Sequence, residues 1–103
     1  MDDPQRRAEL AQRLSDAGAA HGRYEMTALH GEYDPQWAEW YARYLTSHGW
    51  NEFFSSAWDN AELAAALRQA DSDQRAYAPQ SRWQDFYAAR FVETSDVSET
   101  SEV

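Results

Sequence analysis

The chain has 103 residues and a formal charge of −9, from 18 acidic side chains against 9 basic ones, every basic one an arginine. Such a field repels phosphate backbones and anionic headgroups, which excludes nucleic acids and membrane surfaces as expected partners. There is no cysteine, which removes disulfides, thiolate nucleophiles and cysteine-held zinc or iron–sulfur sites.

A body of this length makes one domain whose core is only marginally sufficient by itself. Aromatic residues make up 15% of the chain, isoleucine is absent, and valine occurs only at Val92, Val97 and Val103. β-Branched residues are what strands favour, so the expectation is an all-α fold. No run is long and apolar enough to span a membrane, and Met1 to Arg7 lack the apolar stretch of a secretory signal, so the expected location is cytoplasmic.

Taken in order, residues 4–24 read as a first helix, with Leu10, Leu14, Ala17, His21 and Tyr24 as its apolar stripe. Gly18 and Gly22 predict fraying or a close helix contact near its end. Residues 25–33 have no sustained period and read as a connection turning at Gly31. Asp34 then Pro35 predicts a capped start for a second helix over 35–48, stopped at Gly49. In that helix Trp37, Trp40, Tyr41, Tyr44 and Leu45 share one face and are expected to be core, with Trp40 among the most costly residues to truncate.

Trp50, Phe53, Phe54 and Trp58 follow too closely for a solvated loop and predict a short helix packed on that face. A third helix is expected from Asp59, with Glu62 as its capping-box partner, to about Tyr77. Its buried side is Leu63, Ala66, Leu67, Ala70 and Tyr77, while Asp71, Asp73 and Arg75 face water. Pro79 ends it. Ser81 with Gln84 reads as a second capping box, opening a fourth helix with Trp83, Phe86, Tyr87, Arg90 and Phe91 on its stripe. The domain is therefore expected over 1–92, with 93–103 a disordered acidic tail containing Glu93, Asp96, Glu99 and Glu102.

The halves echo one another. Leu10, Leu14, Ala17 and Tyr24 match Leu63, Leu67, Ala70 and Tyr77 at an offset of 53. Trp37, Trp40, Tyr41 and Ala42 match Trp83, Phe86, Tyr87 and Ala88 at an offset of 46. Two αα-hairpins in a four-helix arrangement with a pseudo-twofold relation follow, the two Trp-rich helices meeting near the centre. The paired segments Asp34 to Ala42 and Pro79 to Arg90, preceded by His21 to Glu25, resemble a group of small uncharacterised bacterial proteins with paired Trp-x-x-Trp/Phe-Tyr-Ala motifs. That resemblance spans residues 8–92 approximately; it implies a helical fold and no established activity.

Candidate chemistry concentrates before the second helix. His21, Glu25, His30, Glu32 and Asp34 are imidazoles and carboxylates that could hold a divalent cation, the only cofactor the chain suggests. Their bland reading is a core-edge histidine with solvated acids. A zinc His-Glu-x-x-His motif is absent, an EF-hand from Asp71 fails at Ala76 and Arg82, and no phosphate loop or serine elbow occurs. No catalytic residue is therefore assigned, and the balance is against an enzyme. The aromatic residues Trp37, Trp40, Tyr41, Tyr44, Trp83 and Tyr87 could line a pocket, with hydroxyl and indole groups orienting an apolar ligand. The leading expectation is a small acidic interaction or structural accessory module, working with a protein partner or as a homodimer. The alternative is a ligand- or metal-binding protein with its site between the aromatic helices and the His21 to Asp34 connection.

Overall fold

The computed structural model describes residues 3–100, with side chains for 3–93. The described residues form four helices, α1 (Asp3–Ala28), α2 (Trp37–Ser47), α3 (Asn60–Tyr77) and α4 (Trp83–Thr100), with a 3-10 turn at Trp50–Phe53. No strand occurs among the described residues. Most of the expected tail, 94–103, lies outside the described side chains.

α1 buries Leu10, Leu14, Ala17 and His21, one line along the helix, as the spacing predicts. It runs four residues past its expected end and stops where His30 and Gly31 take positive φ values of 55° and 84°. The Gly31 N–H there donates to the Glu25 carbonyl at 2.8 Å, capping the helix terminus. Gly18 is the close contact the sequence suggests: a Cβ there would meet Trp83 Cζ2 at 3.1 Å and the Tyr41 hydroxyl at 3.5 Å. Gly22 has no neighbour within 4 Å of that position.

α2 starts at Trp37, two residues later than expected. Asp34 still caps, but it caps a turn: its Oδ1 accepts the Gln36 N–H at 2.9 Å and its carbonyl accepts the Trp37 N–H at 3.2 Å. Gly49, at φ 88°, follows the helix end as anticipated. The buried positions of α2 are Ala38, Ala42 and Leu45, whereas Trp37, Trp40, Tyr41 and Tyr44 are only half-buried. The aromatic stripe therefore flanks the core instead of forming it. Each residue advances the helix by about 100°, so a stripe one position away from the small residues faces the bundle's edge.

The central aromatic is Trp50, which is 0% exposed. It meets Phe91 edge-on at 5.0 Å between centroids and Phe54 at 5.4 Å, and Trp58 closes the cluster on Phe91 at 5.4 Å. Asn51 ties this segment together, accepting the Trp58 N–H at 2.8 Å and donating to the Trp58 carbonyl at 3.2 Å. Arg6 and Arg13 of α1 lie over Phe54 and Phe53 at 5.2 and 5.6 Å.

α3 opens with the predicted capping box: Asp59 accepts the Glu62 N–H at 2.7 Å and Glu62 accepts the Asp59 N–H at 3.3 Å. Leu63, Ala64, Leu67 and Ala70 are buried, but Tyr77 is 76% exposed and is no part of the core. The second capping box does not form. Instead the Ser81 hydroxyl turns back to the Ala78 carbonyl at 2.7 Å. α4 buries Tyr87, Ala88, Phe91 and Val92.

α1 packs most extensively on α4, and α2 on α3, with smaller contacts within each hairpin. Exchanging α1 with α3 and α2 with α4 leaves this pattern unchanged, as a pseudo-twofold relation requires. Equivalent residues share environments: Leu10 and Leu63, Leu14 and Leu67, Ala17 and Ala70, Ala42 and Ala88, and Leu45 and Phe91 are all buried. The expected central meeting of the Trp-rich helices is corrected, because α2 and α4 lie on a diagonal with no backbone-level contact. They touch through side chains, with Tyr41 and Trp83 at 6.1 Å.

Trp50→Ala is expected to cost about 3–5 kcal/mol, and Trp40→Ala roughly half of that or less, read from urea midpoints. Because the Trp50 indole N–H has no hydrogen-bond acceptor among the described residues, Trp50→Phe is expected to cost far less than Trp50→Ala. Gly22→Ala is expected to raise stability by about 0.5–1 kcal/mol in the same assay, since nothing blocks a methyl group there.

Candidate ligand-binding site

The last buried position of α1's stripe is a histidine. His21 is 6% exposed and Asp34 is 7% exposed, and His21 Nε2 lies 2.9 Å from Asp34 Oδ2. An ionised carboxylate only accepts, so the proton of this bond sits on Nε2. In the neutral ring Nδ1 is then left as an acceptor. It stands 3.8 Å from Glu25 Oε1, beyond hydrogen-bond range. Aromatic rings clamp the imidazole, with Trp40 at 4.9 Å, Tyr41 at 5.1 Å and Tyr24 at 5.9 Å.

Burial pushes the Asp34 carboxyl upward, but the hydrogen bonds from His21 and the Gln36 N–H, with the nearby positive charge, more than offset it. The net effect is a pKa below the ordinary value of 3.8. Glu25 and Asp34 approach opposite nitrogens of the same ring, so the three groups do not converge on one point. His30 and Glu32 are exposed on the turn and take no part. Among the described residues no group of three or more histidine, aspartate or glutamate side chains is placed to hold a metal ion.

Beside His21 opens a cleft of about 340 Å³. Trp37 and Tyr41 of α2, Trp83 and Tyr87 of α4, and Tyr33 of the connection supply its aromatic lining. Successive rings stand at steep angles: Trp37 to Tyr41 at 89° and 5.7 Å, Tyr41 to Trp83 at 68° and 6.1 Å, Trp83 to Tyr87 at 64° and 5.1 Å. Trp40 and Tyr44, expected with them, instead stack on each other at 5.5 Å along the flank of α2 and do not line the cleft. Tyr44 stacks onward on His48 at 4.0 Å.

The polar lining comes from His21, Glu25 and three residues of α3 that the sequence reading placed in water or passed over: Asp71, Gln74 and Arg75. Asp71 is half-buried, accepts the Tyr87 hydroxyl at 3.1 Å, and is gripped by Arg75 through two nitrogens, one of them Nε at 3.3 Å. Gln74 Nε2 donates to the Ala78 and Ser81 carbonyls at 3.1 and 3.2 Å. The internal repeat held the signal that could have found them, since the offset of 53 carries His21 onto Gln74 and Gly18 onto Asp71. The cleft thus sits where the two halves meet.

Burial, and then the charge of Glu25, pushes the Tyr41 hydroxyl up to about 12. Burial and the charge of Asp71 raise Tyr87 as well. Both phenols are therefore protonated at neutral pH. A smaller cavity of about 230 Å³ lies on the other side of α3, between Trp58, Asp73, Arg90 and Phe91.

No family model, curated protein or solved structure matches this chain. Functional inference therefore rests on the geometry above.

Because folding lowers the Asp34 pKa, the stability that group supplies is complete above 3.8 and is lost as the pH falls through the lowered folded value. The stability difference between the wild type and Asp34→Asn is expected to be open at about pH 5 and to close progressively below about pH 4. Urea midpoints across that range check this. A difference that persists to about pH 2 would assign Asp34 a role of shape alone.

Proposed function

We propose that this chain is a small ligand-binding module whose ligand occupies the cleft between α1, α2, α3 and α4. The observation that carries this reading is the convergence of the repeat-related pairs Trp37/Trp83 and Tyr41/Tyr87 around one space of about 340 Å³. Small-molecule sites are concave, mainly apolar or aromatic, and carry a few fixed polar groups, with volumes from about 300 Å³ upward. Ion pairing and hydrogen bonding hold Asp71, Gln74 and His21 in place before any ligand arrives, which lowers the ordering cost of binding.

A protein partner or a homodimer is the second reading, favoured by the exposure of Met26, Tyr33 and Tyr77 at 70%, 73% and 76%. A docking face requires a contiguous apolar patch of several hundred Å². Three side chains support it less far than the cleft supports a small ligand.

A fragment library screened by thermal shift and Trp fluorescence tests the proposal. The expected result is a ligand that raises the melting temperature with concentration, adding about 2.7 kcal/mol at one hundred times its Kd, and whose effect disappears in Trp83→Ala. Shifts that survive in both Trp37→Ala and Trp83→Ala, or none at all alongside concentration-dependent dimerisation, would overturn it.

A further inference from the structure

The polar groups of the cleft differ in what they have left to offer. The Tyr87 O–H is spent on Asp71, and both donors of the Gln74 amide are spent on backbone carbonyls. Arg75 turns its fork onto Asp71 and the rest of its guanidinium to solvent, its side chain being 72% exposed. Besides the Trp37 and Trp83 indole N–H groups and the Tyr33 hydroxyl, what the polar side chains leave toward the cleft is mainly acceptor capacity. The Glu25 carboxylate makes no hydrogen bond among the described residues and stands 3.8 Å from His21 Nδ1. Gln74 keeps its carbonyl oxygen, and His21 keeps the Nδ1 lone pair of the neutral ring. The Tyr41 hydroxyl, also without a partner among the described residues, can accept as well as donate.

Charge runs the same way. Arg75 neutralises Asp71, and Glu25 is then the one full charge of the lining without a cationic side chain of its own while His21 is neutral. A protonated His21 would stand between two carboxylates, Asp34 at 2.9 Å and Glu25 at 3.8 Å, and the three groups together would still carry one net negative charge. Five electron-rich rings, Tyr33, Trp37, Tyr41, Trp83 and Tyr87, complete the surroundings, and rings of this kind attract cations.

We infer that the cleft takes an organic ammonium ion, a protonated amine on an apolar or aromatic body, an assignment that rests on the cleft being a ligand site. The N–H groups of the ammonium meet Glu25, with Gln74 and Tyr41 within the same lining, and the body lies among Trp37, Trp83 and Tyr87. The same chemistry is carried by a free amine and by the lysine side chain of a polypeptide. A space near the lower end of ligand-site volumes favours the free amine.

Isothermal titration of the full chain with phenethylamine, phenethyl alcohol and hydrocinnamate tests this, because the three share a body and differ in charge. Phenethylamine is expected to bind at least tenfold more tightly than the alcohol, and the hydrocinnamate anion more weakly than either. Glu25→Gln, a change at a half-exposed helix position, is expected to reduce amine affinity to that of the alcohol while leaving the alcohol unaffected. Tyr41→Phe should weaken the amine by a smaller factor. An acetylated, amidated peptide with a single lysine forms the second arm: tighter binding than phenethylamine assigns the ammonium to a polypeptide, and weaker binding assigns it to a small molecule. Anion binding equal to amine binding, or an amine affinity unmoved by Glu25→Gln, overturns the ammonium assignment and leaves the ligand site standing. If none of the probes binds, the ligand site itself falls and the ammonium assignment with it.

Discussion

The bond between His21 and Asp34 is the constraint on which the arrangement of the first half depends. It joins the buried face of α1 to the residue that begins the approach to α2, and both groups are removed from water. A buried polar pair is costly unless each member is satisfied. Here the carboxylate divides its oxygens between the imidazole and the Gln36 N–H, so a single side chain fixes both the entry of the chain and its turn. The connection is then held at one end of the bundle, and the imidazole is turned so that its remaining nitrogen lies toward the cleft side, near Glu25.

Small residues decide where the large ones go. Ala38, Ala42, Ala17, Ala70 and Ala88 occupy buried positions between the helices, and Gly18 admits the Trp83 ring against the α1 backbone. Close approach along these lines leaves Trp37, Trp40, Tyr41, Tyr44 and Trp83 half-buried at the edges. One edge becomes the wall of the cleft. At the opposite extreme, Trp50 after α2 does enter the core against Phe91, with Phe53, Phe54 and Trp58 half-buried around it. The indoles of α2 are thus less buried than the one indole, Trp50, of the short segment that follows it.

Features set by neighbours in sequence were legible, and features set by distant partners were not. The stripe Leu10, Leu14 and Ala17, the Asp59 and Glu62 box and the Gly49 stop depend on residues within a few positions of one another, and all are found. The start of α2 was misplaced because Asp34 is engaged by His21, thirteen positions away, and no local rule contains that bond. Ser81 had the right spacing for a cap but found the Ala78 carbonyl instead. For the cleft, the aromatic pairs Trp37/Trp83 and Tyr41/Tyr87 could be named from periodicity and repetition. Trp40 and Tyr44 could not be separated from them, since one helical face spans both the cleft side and the outer flank. Asp71 and Arg75 looked like solvated charges because an exposed ion pair and a half-buried one have the same sequence.

The repeat is imperfect around the cleft. Where the first half has Gly18 beneath Tyr41, the second has Asp71 bonded to Tyr87. A space on a true twofold axis is orientation-degenerate: any guest fits equally well end for end, and an asymmetric one gains nothing from either pose. Exchanging a glycine for a carboxylate in one copy, with Arg75 to hold it, breaks that degeneracy and leaves Glu25 on one side without a counterpart on the other, where the offset of 53 falls on Ala78. The repeated frame therefore carries a polarity, and an asymmetric guest in the proposed site would meet two different ends.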